Sequence, residues 1–106
     1  MENELTFPVW ILVGHDRTLE WLVHLTMTNG EASVVVFPTK DAAERFASDG
    51  KYDRVPHEIE TKKKFFALLK VLEKGGFTHV TLNPNFKTEE SRFVTIASLR
   101  FEHEME

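Results

Sequence analysis

The chain has 106 residues, 42% hydrophobic and 28% charged, with a formal charge of -4 and no cysteine. That length suits one domain, residues 1–106, with no room for a second core. The acidic balance gives no basic footprint for nucleic acid, and the lack of cysteine excludes disulfides, thiolate metal sites and cysteine nucleophiles.

Met1-Glu2-Asn3-Glu4 is acidic and lacks the basic and apolar regions of a secretion signal. No apolar run approaches the roughly 20 residues of a membrane span, so the expected location is the cytoplasm, without membrane attachment. Pro8 to Gly14 is apolar on both alternating faces, as in an interior strand. His15-Asp16-Arg17 reads as a turn. From Leu19 to Met27 the pattern alternates, with Trp21, Val23, Leu25 and Met27 on one face, and predicts a second strand. Asn29-Gly30 predicts a hairpin with a type I′ turn, which pairs the third strand, about Ala32 to Phe37, antiparallel with the second.

Thr39 is placed to cap a helix whose apolar stripe is Ala42, Ala43, Phe46 and Ala47, and Asp49-Gly50 ends it. Residues 51–60 are ambiguous, because Pro56 permits a loop or an edge strand. A second helix runs from an N-cap at Thr61 to Gly75-Gly76, burying Phe65, Phe66, Leu68, Leu69 and Leu72. Phe77 to Leu82 reads as a short strand stopped by Asn83-Pro84-Asn85. Arg92 to Phe101 reads as a last strand, with Phe93, Thr95, Ala97, Leu99 and Phe101 on one face. The sum is an α+β fold of two layers: a mixed or mostly antiparallel sheet of about five strands, with two helices packed on it.

Two stretches resemble a known family. They are Ser33-Val34-Val35-Val36-Phe37-Pro38-Thr39-Lys40-Asp41-Ala42-Ala43-Glu44-Arg45-Phe46-Ala47, and Phe66-Ala67-Leu68-Leu69 through Gly76-Phe77-Thr78-His79-Val80-Thr81-Leu82-Asn83-Pro84. Together they look like the SseB-type N-terminal domain family, in which a strand leads through an aromatic and Thr or Ser into an acidic, alanine-rich helix. Later in that family a leucine-rich helix passes through glycine into a strand closing on Leu-Asn-Pro. The similarity covers under half of the chain. Pro38 intrudes before Thr39, and Asn85 stands where a glycine is usual. The resemblance implies a mixed α+β fold, a bacterial setting and no established enzymatic activity.

The chemistry-bearing residues do not converge in sequence. None of the five histidines has the helical spacing of a zinc pair; His24 and His79, each mid-strand, are the better metal candidates, and a half-buried structural ring is the preferred reading of both. No nucleophile elbow or phosphate loop occurs, so neither a catalytic residue nor a cofactor is expected. Lys62, Lys63 and Lys64 crowd a helix N-terminus, which suggests an anion site, although Glu58 and Glu60 compete for them. Asn83 and Asn85 form a loop at the carboxyl end of a strand, where ligands often bind. Nine phenylalanines are more than this core needs, which makes Trp10, Trp21, Phe93 and Phe101 candidates for an interface. The expected role is a non-enzymatic protein-interaction or accessory domain that pairs with a partner protein or a second copy of itself. A small-ligand or anion-binding module using Lys62–Lys64 and the Asn83 loop is the alternative.

Overall fold

A computed structural model describes residues 6–16, 19–83 and 92–104. In chain order these form β1 (Val9–Val13), a 3-10 turn (Leu19–Trp21), β2 (His24–Thr26), β3 (Ala32–Val36), α1 (Lys40–Asp49), β4 (Val55–Ile59), α2 (Lys62–Lys74), β5 (Phe77–Leu82), β6 (Arg92–Thr95) and α3 (Ile96–Glu104). The class is α+β, as the patterning implies. Four strands make one sheet in the order β2-β3-β5-β6, and β1 and β4 make a second, two-stranded antiparallel sheet. Trp10 and Phe37 join the two by exchanging a pair of backbone hydrogen bonds of 2.8 Å each. β3 and β5 run parallel, while the β2–β3 and β5–β6 pairs are antiparallel.

The caps sit where the sequence places them. The Thr39 hydroxyl accepts from the Ala42 amide at 3.0 Å and opens α1, and the Thr61 hydroxyl accepts from the Lys64 amide at 3.2 Å and opens α2. Gly50 and Gly75 close the two helices. Pro56 lies inside β4, opposite Leu12. β4 pairs with β1 alone, so the missing N–H of Pro56 can face the outer edge without breaking the ladder, and the ambiguous segment resolves as an edge strand.

Four expectations need correcting. The expected strand from Leu19 to Met27 shrinks to β2, because the Leu22 amide donates to the Leu19 carbonyl at 3.1 Å and closes a 3-10 turn over Leu19–Trp21. The hairpin loop has three residues, Thr28 to Gly30, and of its two expected left-handed positions only Gly30 has a positive φ, +87°. That is a type I turn followed by a left-handed glycine, where a type I′ turn was expected. The last strand stops at Thr95 and becomes a third helix, because the Thr95 hydroxyl accepts from the Ser98 amide at 3.1 Å and caps α3.

The layering also differs from two helices on one face. Val9, Ile11, Val13, Val34, Val36 and Val80 pack against Phe65, Phe66 and Leu69 of α2 and Ile96 and Leu99 of α3. The alternate residues Leu12, Val35 and Phe37 pack against Ala43, Phe46 and Ala47 of α1. Since neighbouring strand residues point to opposite faces, α1 covers one side and α2 with α3 the other. Three helices in place of two supply apolar cover to both faces, which is what the continuous run Val34–Phe37 demands.

Two buried polar side chains interrupt this. Ser33 and Thr81 are fully buried, and their hydroxyls satisfy each other at 2.6 Å across the parallel pair. Thr81→Val should leave the Ser33 hydroxyl with a broken bond and destabilise the domain by about 1–3 kcal/mol in urea unfolding. Combining it with Ser33→Ala should recover much of that loss, since both ends of the bond are then apolar.

Candidate functional site

The strand that ends the sheet and the helix that follows it carry the most conspicuous surface. β6 pairs only with β5, and among the described residues nothing lies hydrogen-bonded along its outer edge. Phe93, in the middle of β6, is 41% exposed, and Phe101, on α3, is 64% exposed. α3 is fixed by three contacts to α2 and the sheet. Ile96 and Leu99 enter the core, Arg100 Nη1 donates to Glu73 Oε1, and the His103 ring stacks on Phe66 at 4.1 Å between centroids. Phe93, paired with Thr81, faces the α1 side of the sheet, whereas α3 with Phe101 packs on the Val80 side, so the two exposed rings lie on different sides of the sheet.

The other two interface candidates lie elsewhere. Trp10 is half-buried against the α1 core. Trp21 is 52% exposed, but one face of its indole is occupied by the Arg54 guanidinium, 5.4 Å from the ring centroid. Of the four aromatics expected at an interface, only Phe93 and Phe101 are exposed on consecutive elements.

Lys62, Lys64 and the Asn83 backbone are already engaged with the chain itself. Lys64 Nζ donates to Glu60 Oε1 at 3.4 Å, and the first-turn amide of Lys64 is taken by the Thr61 hydroxyl. Lys62 also has an interaction partner, and Lys63 sits between the two in the first turn of α2. Asn83 has a left-handed backbone, φ +46°, a conformation asparagine tolerates, and its amide donates to the Val36 carbonyl at 2.7 Å. It borders a small recess of about 180 Å³ with Thr6, Val9, Val36, Phe37, Pro38 and Leu82. Asn85 lies outside the described residues. His24 and His79 do not meet: His24 pairs with Val34 and His79 with Ser33, positions on opposite faces of the sheet. His79 Nδ1 instead lies 2.8 Å from the Thr78 hydroxyl, which donates to Glu31 at 3.2 Å. Among the described residues no three His, Asp or Glu side chains are grouped to hold a metal ion.

One polar cluster escaped the sequence reading. Gly14, His15, Asp16, Trp21, Asp53 and Arg54 line an open recess of about 380 Å³ past the end of β1. His15 Nε2 is 2.7 Å from Asp53 Oδ1, a pair separated by 38 positions in sequence and so invisible to spacing. Arg54 is held over the Trp21 ring because its Nε donates to the Trp21 carbonyl at 2.7 Å and its Nη1 to the Asp53 carbonyl at 2.8 Å. Glycine is required at position 14, where a Cβ would stand 2.9 Å from Trp21 Cδ1 and 3.0 Å from its Cβ. Both partners of the His15–Asp53 pair are mostly exposed, so the pair orders a loop more than it stabilises the fold.

No protein-family model matches the sequence, and no curated protein is similar to it. No helix among the described residues is long and apolar enough to cross a membrane.

The hydrogen bond from His15, then the charge of that ring, holds the Asp53 carboxyl below its ordinary value. A carboxylate with a lowered folded value favours folding above its unfolded pKa, and that contribution disappears as pH falls through the folded value. His15→Ala should let the Asp53 titration, followed by NMR of its carboxyl carbon, rise toward the ordinary aspartate range, while Lys64→Ala leaves it in place.

Proposed function

We propose that the chain is a non-enzymatic protein-interaction or accessory domain that associates with a second copy of itself. The observation that carries this reading is the pair Phe93 and Phe101, 41% and 64% exposed on consecutive elements. Phenylalanine buries roughly 150–250 Å² when enclosed, and aromatics of this kind are the usual anchors of protein interfaces because they fill space at low entropic cost. The core does not lack for rings: Phe37, Phe46, Phe65 and Phe66 are buried within it. Phe93 and Phe101 thus leave apolar surface exposed among the described residues. The absence of cysteine suits a reducing bacterial cytoplasm, the setting that goes with this reading.

Light scattering coupled to size exclusion tests it. The mass should move from one chain toward two as the concentration is raised through the micromolar range. A mass of one chain at every concentration would remove self-association.

A further inference from the structure

We propose that Asn29 is a site of spontaneous deamidation held in check by the closed β2–β3 turn, so that its conversion to aspartate and isoaspartate follows the opening of that hairpin. This chemistry is independent of self-association.

The reaction needs an accessible side-chain amide followed by an uncrowded backbone nitrogen. Asn29-Gly30 is the chain's one Asn-Gly pair. Thr28, Asn29 and Gly30 are all exposed, and a Cβ built on Gly30 would meet nothing within 4 Å. Glycine has no side chain to hinder approach to its own nitrogen. That nitrogen gives up its proton to a base in the buffer and bonds to Asn29 Cγ. The Cγ–Nδ2 bond then breaks, ammonia leaves with a proton, and a five-membered succinimide remains. One water opens the ring at either carbonyl. The product is an aspartate on the original backbone, or an isoaspartate whose backbone runs through the former side chain and gains a methylene. Either product makes the formal charge of -4 one unit more negative.

Two hydrogen bonds act on the reacting groups in opposite senses. The Glu31 amide donates to Asn29 Oδ1 at 3.0 Å, where it stabilises the negative charge that builds on that oxygen as Cγ is attacked. The electrophile is ready. The Gly30 amide donates to the Met27 carbonyl at 2.9 Å. The electron pair left by deprotonation lies where the N–H bond was, in the peptide plane, so in the closed turn it is aimed at the Met27 oxygen. The nucleophile is withheld.

Attack therefore waits for the turn to open, and that opening can be local. β2 has three residues and pairs with β3 alone, and the Met27 amide donates to the Glu31 carbonyl at 2.7 Å to close the loop. Isoaspartate lengthens this three-residue loop by a methylene, which the same closing bonds cannot span unchanged.

Peptide mapping by mass spectrometry follows the reaction in mildly alkaline buffer. The chain unfolded in guanidinium chloride should deamidate at Asn29 at least about tenfold faster than the folded chain, the factor for a turn open no more than about a tenth of the time. Met27→Pro keeps the Asn-Gly pair but deletes the amide that donates to Glu31, and should speed the reaction in the folded chain. Asn29→Asp reproduces the aspartate product, retains an acceptor for the Glu31 amide and should melt like the natural chain, whereas the isolated isoaspartate fraction melts lower. Equal rates in the folded and unfolded chain would overturn the proposal, as would an unfolded chain unmodified at Asn29. That comparison needs no variant, so it decides even where Met27→Pro does not fold; a folded Met27→Pro chain that reacts no faster than the natural one also overturns it.

Discussion

β3 has helices over both faces and strands on both sides, so from Ser33 onward it is shut off from solvent. Ser33 to Phe37 are all buried, at 2% exposure or less. Every backbone group of the strand must find a protein partner, because an unpaired buried amide or carbonyl costs as much as a lost hydrogen bond. β5 serves one edge along its whole length. The other edge is shared: β2 pairs with Ala32 to Val34, and β1 takes over at Phe37 through Trp10. The two sheets are consequently one problem with one solution. β1 must reach the carboxyl end of β3, and Leu12, one pair of residues further along, accepts from the Val23 amide at 2.9 Å and so fixes where β2 starts.

This demand explains what was legible in the sequence. The apolar run Val34 to Phe37 marked a strand, though not that helices cover both its faces, and the capped helices on either side were marked by Thr39, Thr61, Gly50 and Gly75. The hairpin followed from Asn29-Gly30, though its exact turn did not. The parallel β3–β5 pair did not follow from local pattern either, since it depends on a crossover through α1, β4 and α2, some forty residues of chain. β4 was half-readable for the same reason: Pro56 is tolerable only at an edge, and whether an edge exists is a fact about topology. The His15–Asp53 and Arg54–Trp21 contacts join loops that are distant in sequence, and no residue spacing announces them.

The misreading of residues 96–101 is the most instructive, because it bears on function. Read as a strand, the segment puts Leu99 and Phe101 on one face, so both would be buried or both exposed. Read as a helix, each residue turns about 100°. Phe101 then sits roughly 140–160° around the axis from Ile96, Leu99 and His103. Leu99 is 3% exposed and Phe101 is 64% exposed, the outcome only a helix gives. The local signal for the helix was Thr95, a capping residue three positions before Ser98, hidden inside an alternating run of apolar residues.

The same cap decides the shape of the exposed edge. Had the chain continued as a strand, β6 would run on past Thr95, with Phe101 beyond β5 and no helix over that part of the sheet. By turning at Thr95 into α3, the chain gains the Ile96 and Leu99 contacts that bury Val80 from the α2 side. It also keeps β6 to four residues, with Phe93 near the middle. α3 is itself tied to α2 by Arg100–Glu73 and by the His103–Phe66 stack, so Leu99→Ala, which empties its main contact with the core, should cost about 2–5 kcal/mol in urea unfolding.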